Sequence, residues 1–162
     1  MKRTPFLFLA VLLTATMSAC GPRSFDPDRA AQRFFDQGRE EILTSLKNQN
    51  ATPAQLDQTR AILDRNGQTV PKEIAAMFRE HKELLRAVIA GKDSSTLLAQ
   101  EDKFHAKHVA ATASIGRMHE ELASAVGKPL WEAASADTQQ RMARYFRDGW
   151  RRTPEPSWRS LR

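Results

Sequence analysis

Cys20 is the only cysteine in this 162-residue chain, so no internal disulfide can staple the fold and packing alone must hold it. Also missing is any stretch that alternates apolar and polar residues as a half-buried strand would, which argues against a sheet. There is no glycine-rich phosphate loop and no visible nucleophile–base–acid constellation, so an enzyme is not expected. Long apolar runs are scarce: only residues 6–13 form one, and they are too few to span a bilayer as a helix. Acidic residues are in the minority, 19 against 25 Lys and Arg. That modest excess suits anionic lipid headgroups or acidic segments of a protein partner.

What is present begins with the N-terminus. Lys2 and Arg3 precede the apolar run Phe6-Leu7-Phe8-Leu9-Ala10-Val11-Leu12-Leu13, and a small-residue stretch then leads to Met17-Ser18-Ala19-Cys20. This is the three-part plan of an export signal. Its last four residues resemble the lipobox of bacterial lipoproteins, with Met17 where Leu is usual. The resemblance implies removal of residues 1–19 and a thioether-linked diacylglycerol on Cys20 with further acylation (palmitate-type chains) of the new amine. A plain secretory signal followed by a coincidental cysteine is the competing reading. Two or three acyl chains anchor a protein stably where one does not. Residues 20–27, with Pro22 and Pro27, read as a tether. Gly21, rather than the Asp that signals inner-membrane retention, favours the outer membrane. Export makes nucleic acid an unexpected partner.

From Asp28 the pattern is helical. Asp28 is expected to cap a first helix with Phe35, Ile42, Leu43 and Leu46 on its apolar side, ended by Asn48-Gln49-Asn50. Thr52-Pro53-Ala54-Gln55 combines an N-cap, a proline at the first helical position and a capping-box glutamine. The helix it opens carries Leu56, Thr59, Ile62 and Leu63 and stops near Asn66-Gly67. Pro71 opens a third, with Ile74, Met77, Phe78, His81, Leu84, Leu85 and Val88 on one face. After a break at Gly91-Lys92-Asp93-Ser94, a long fourth helix places Leu97, Glu101, Phe104, His108, Ala111, Ile115, Met118, Leu122 and Val126 along a narrow seam. Gly127-Lys128-Pro129 is expected to end it. A last helix is expected from about Ala136 to Trp150, followed by a basic disordered tail over residues 151–162. The fold class is therefore all-α: a long antiparallel hairpin with flanking helices over residues 28–150. Its seams are narrow enough that a homodimer is the natural way to cover them.

Ala51-Thr52-Pro53-Ala54-Gln55 is similar to the Leu-Thr-x-x-Gln signature of the periplasmic Spy/CpxP family, with Ala51 in place of Leu. A degenerate second copy, Ala134-Ser135-x-x-x-Gln139 or Ala136-Asp137-x-x-Gln140, follows the long hairpin as the family's second motif does. Thr52, Gln55 and Gln139 are the family-motif residues. The resemblance implies a helical dimer shaped as a curved cradle that binds partly unfolded periplasmic proteins without ATP as part of a stress response. The family's other members include heavy-metal sensors. A lipid anchor is a departure from its soluble members.

The histidines carry the one open chemical question. His81 and His108 sit on facing stripes near the hairpin break, with His105 and Glu101 close by in sequence and His119 three turns beyond His108. A site of His81, His105, His108 and Glu101 would suit zinc or another divalent transition metal. The alternative is that each is an ordinary half-buried helix histidine, or that protonation of His81 and His108 loosens the hairpin in acid. No cofactor is required. Glu40-Glu41 and Glu120-Glu121 are adjacent on helices, point apart and read as surface charge. Met77, Phe78, Met118, Met142 and Trp150 are candidate client-binding side chains, because flexible and aromatic surfaces adapt to varied partners. The same residues at helical spacing are equally the makings of a core.

The expected function is thus a lipid-anchored, ATP-independent, chaperone-like protein of the bacterial envelope. A metal- or stress-sensing accessory and a structural lipoprotein subunit of an envelope complex are the alternatives. A Cys20→Ser variant is expected to leave the membrane fraction in cell fractionation; persistence there contradicts lipidation at Cys20.

Overall fold

The computed structural model describes residues 25–152, with side chains described as far as Arg144. All of the elements among these residues are helices: α1 (Pro27–Asn48), α2 (Pro53–Asn66), α3 (Val70–Ile89), α4 (Ser94–Val126) and α5 (Lys128–Arg152). The all-α class follows. The expected signal, Cys20, the side chain of Trp150 and the expected tail beyond residue 152 lie outside the described residues, while residues 151 and 152, expected in that tail, continue α5.

Each helix begins where local chemistry can satisfy its free amides. The cap of α1 is Asp26 rather than Asp28: its Oδ1 accepts from the amides of Asp28 and Arg29 at 3.0 and 3.2 Å. Pro27, which has no amide to satisfy and a preset φ, takes the first helical position, so the cap falls two residues earlier than expected. Residues 25–27, expected as tether, are therefore part of the folded body. The Phe25 ring packs edge-on to Phe78 at 5.9 Å, and Lys82 Nζ donates to its carbonyl at 2.7 Å. Asn50, at φ 60, turns the chain out of α1, and the Ala51 amide closes the end on the Leu46 carbonyl.

The capping box of α2 forms as expected. The Gln55 amide donates to Thr52 Oγ1 at 3.3 Å, and the Thr52 amide donates to Gln55 Oε1 at 2.9 Å. At its other end, a Cβ on Gly67 would lie 3.1 Å from Phe35 Cε1 and 3.2 Å from the Leu63 carbonyl. Close approach to α1, not a positive φ, is what requires glycine there. Asp93 caps α4 through the Thr96 amide.

One boundary differs from expectation. Gly127, at φ 89, ends α4 by itself, and α5 starts at once with Lys128 rather than near Ala136. Pro129 lies in the first turn, where its missing amide would have had no partner anyway, so it opens a helix instead of closing one. The degenerate motif at residues 134–140 is consequently helix interior and not a helix start.

Tertiary contacts run from α1 to α3, from α3 to α4, from α4 to α5 and from α5 back to α1, a closed ring of four helices. The short α2 lies against α4 and α1. The core inside the ring takes Ala31, Phe35, Ile42 and Leu46 from α1, Val70, Ile74, Met77 and Phe78 from α3, and Ala111, Met118, Leu122 and Val126 from α4. Trp131, Ala134 and Met142 come from α5, and Ile62 and Leu63 of α2 join them. It stops abruptly: from Arg79 to Ala110 no residue is buried. That stretch is the second part of α3, the turn and the first part of α4, packed on each other and on little else. Half of the expected α4 seam is covered by the chain itself, while Leu97, Phe104 and His108 are only half-buried and Glu101 is exposed.

Exposed ion pairs decorate this core: Arg39–Asp64 and Arg79–Asp28, both at 2.7 Å, are each worth about 0–1 kcal/mol. Stability therefore rests on burial. Leu63→Ala is expected to cost about 2–5 kcal/mol in urea denaturation. Leu98→Ala, in the unburied stretch, is expected to change stability by no more than about 0.5 kcal/mol.

Candidate functional site

The ring of helices does not close tightly. A cavity of about 450 Å³ lies within it, walled mainly by Phe34, Gly38 and Ile42 of α1, by His108, Thr112, Ile115, Gly116, Met118 and His119 of α4, and by Trp131, Thr138, Gln139 and Met142 of α5. Its lining is largely apolar, the usual character of a binding pocket.

Two features of the walls stand out. Gly38 and Gly116 both sit in helix interiors, where glycine is less stable than alanine by roughly 0.5–1 kcal/mol. A Cβ at either position would meet nothing within 4 Å, so packing does not demand glycine there. In addition, the Oγ1 atoms of Thr112 and Thr138, two side chains of the wall, are buried and have no hydrogen-bond partner.

The histidines divide between two places. His108 and His119 reach the cavity wall, three turns apart on one face of α4, and His119 stands edge-on to Trp131 at 5.3 Å. His81, on α3, lies against the Phe104 ring at 5.0 Å, and Phe104 lies 6.0 Å from the ring of His108. The phenyl ring thus packs against both imidazoles. His105 and Glu101 are exposed. Among the described residues, no group of three or more His, Cys, Asp or Glu side chains is placed to hold a metal ion. The sequence noted the spacing of His119 from His108, but not that both would wall one cavity with Trp131.

The candidate client-binding residues are redistributed. Met77 and Phe78 are core residues, 1% and 3% exposed, because α1 covers the face of α3 that carries them; they are not a client surface. Met118 and Met142 are buried too, but at the cavity wall. Of the family-motif residues, Thr52 caps α2 and Gln139 borders the cavity. Gln55 makes a bond that no local pattern foretells: its Nε2 donates to the carbonyl of Val126 at 2.9 Å, tying the start of α2 to the end of α4.

Carboxylates are tied into the scaffold. Arg65, and then Asn66, hold Glu121 below the usual carboxylate range. Asp137 is held low first by Arg141 and then by Ser45. Glu120 and Glu121 border an open trough between α2 and α4 together with Arg65 and Arg117, a surface of compensated charges. Comparisons with protein-family models, with curated proteins and with solved structures find no match to this chain.

Burial pushes the pKa of His119 and of His81 below the ordinary 6.5; His108 is lowered by burial and then by the charge of His105. A histidine whose folded pKa is depressed opposes folding once protonated. Its contribution is intact above about pH 6.5 and is lost as pH falls through that value toward the folded pKa. The lowered carboxylates act in a separate window, below about pH 4.5. Thermal midpoints are therefore expected to hold from about pH 8 to 7 and to fall as the pH drops below about 6.5. His119→Phe, which keeps the ring against Trp131, is expected to make that fall shallower; an unchanged slope contradicts the assignment to His119.

Proposed function

We propose that this chain is a lipid-anchored, non-catalytic holding protein of the bacterial envelope that binds partly unfolded proteins, without ATP, on the stretch from Arg79 to Ala110. One observation carries the reading. The exposed large hydrophobics among the described residues are Val88 (54%), Ile89 (74%), Leu98 (62%) and Val109 (53%), and all four fall in that stretch. Water-facing branched side chains concentrated on one pair of helices mark an interaction surface more than scattered ones do. Exposed Arg86, Lys92, Lys103 and Lys107 lie among them together with exposed Glu83, Asp93, Glu101 and Asp102, a mixed-charge rim of long side chains that keeps the surface soluble.

In this reading α3 and α4 form an antiparallel hairpin whose core-bound end is rigid and whose other end is the working surface. The lipid on Cys20 confines it to clients near a membrane, the outer membrane in particular. Two copies paired along their α4 seams would face a client from both sides, as in the cradle of the Spy/CpxP family that the Thr52–Gln55 motif resembles.

The test adds the unlipidated mature chain in stoichiometric amount to a chemically unfolded model protein, without ATP, and follows light scattering. Suppression is expected, and a Val88→Gln, Ile89→Gln, Leu98→Gln, Val109→Gln variant is expected to lose it while keeping its thermal midpoint, since none of the four is core. Equal suppression by that variant moves the surface elsewhere. Absence of suppression by the parent chain, with a stable one-to-one complex recovered from membranes, replaces the holding role by that of a docking subunit.

A further inference from the structure

We infer that the cavity between α1, α4 and α5 is a binding site for a single long-chain acyl group bearing an oxygen head, with a free fatty acid as its ligand. The site shares only His108 with the stretch from Arg79 to Ala110 and needs none of that stretch's four exposed hydrophobic side chains.

The argument starts from backbone. Two glycines in helix interiors, Gly38 and Gly116, line this one cavity from facing helices. Neither is there to avoid a clash, since a Cβ at either would touch nothing within 4 Å. A helix that accepts glycine without a packing reason keeps backbone bare for something that approaches it closely. The volume, about 450 Å³, falls within the range of small-molecule pockets, and the rings of Phe34 and Trp131 with Ile42, Ile115 and Met142 offer an apolar body no polar partner.

The head follows from charge and hydrogen bonding. Arg39 lines the cavity, and no Asp or Glu is among the described residues that do. Its guanidinium is held by Asp64 at 2.7 Å in an exposed pair, a weak interaction that a second carboxylate can share or replace. His119, whose pKa burial lowers, adds a ring nitrogen to the wall. The hydroxyls of Thr112 and Thr138 have no partner. Both residues line the cavity, so a ligand oxygen inside it has hydroxyl donors to meet. A carboxylate at Arg39 with its chain running inward leaves no buried charge unpaired.

The purified protein, titrated with palmitate and in parallel with lysophosphatidylcholine in a calorimeter, tests the proposal. One palmitate per chain is expected, with a micromolar or lower Kd. Gly38→Ala and Gly116→Ala are expected to raise the thermal midpoint yet weaken palmitate binding about tenfold or more, a combination that a merely structural role of these glycines does not produce. Arg39→Gln is expected to weaken palmitate and leave lysophosphatidylcholine unaffected. Binding of lysophosphatidylcholine alone keeps the acyl site and assigns its source to membrane lipid, overturning the fatty-acid head. Binding of neither, or palmitate binding unchanged by Gly116→Leu, overturns the site itself.

Discussion

Everything else in this molecule depends on how α1 is buried. Ala31, Phe35, Ile42 and Leu46 face inward from it, and α1 touches α3 on one side and α5 on the other, closing the ring that α4 completes. With no internal disulfide available, apolar area removed from water is the dominant favourable term, at about 1.5–3 kcal/mol for each large side chain fully buried. But the core that α1 closes ends at Phe78 on α3 and at Ala111 on α4, and no residue from Arg79 to Ala110 between them is buried. The surface proposed to bind clients is that uncovered remainder.

Polar contacts then fix the register of what burial has brought together. Gln55 fastens α2 to the last carbonyls of α4, and Arg65 with Asn66 fastens the other end of α2 through Glu121. Arg79 and Lys82 hold the start of α1 against the middle of α3. These ties cluster at the core-bound end of α4 and the middle of α3. Beyond them α3 and α4 meet mainly through half-buried side chains such as His81 and Phe104, a softer contact that suits a surface able to adapt.

What the sequence made legible was local. Thr52 and Gln55 announced a capping box because its partners are three residues apart, and the three-and-four spacing of Ile74, Met77 and Phe78 marked the inward face of α3. The helices that begin at Pro27 and Lys128 start two and about eight residues before the positions their sequence suggests, since proline both stops a helix and starts one, and only the rest of the chain decides which. Whether Met77 or Val88 meets water could not be read from one helix: both lie on the same stripe, and only the reach of α1 separates them. The cavity was invisible for the same reason. His119, Gly38 and Trp131 lie on three helices, and no spacing along the chain brings them together, although the three-turn separation of His108 and His119 was there to be seen.

Hydrogen exchange followed by mass spectrometry, on the protein alone and with a permanently unfolded, reduced model protein, tests the division of this fold into a core and a working surface. Alone, amides in residues 70–78 and 111–126 are predicted to exchange slowest and those in residues 79–110 markedly faster, since local opening there exposes no buried residue. Added client is predicted to slow exchange within residues 79–110 and leave the core pattern unchanged. Uniform protection along α3 and α4 in the free protein, or client protection confined to other helices, would contradict the account.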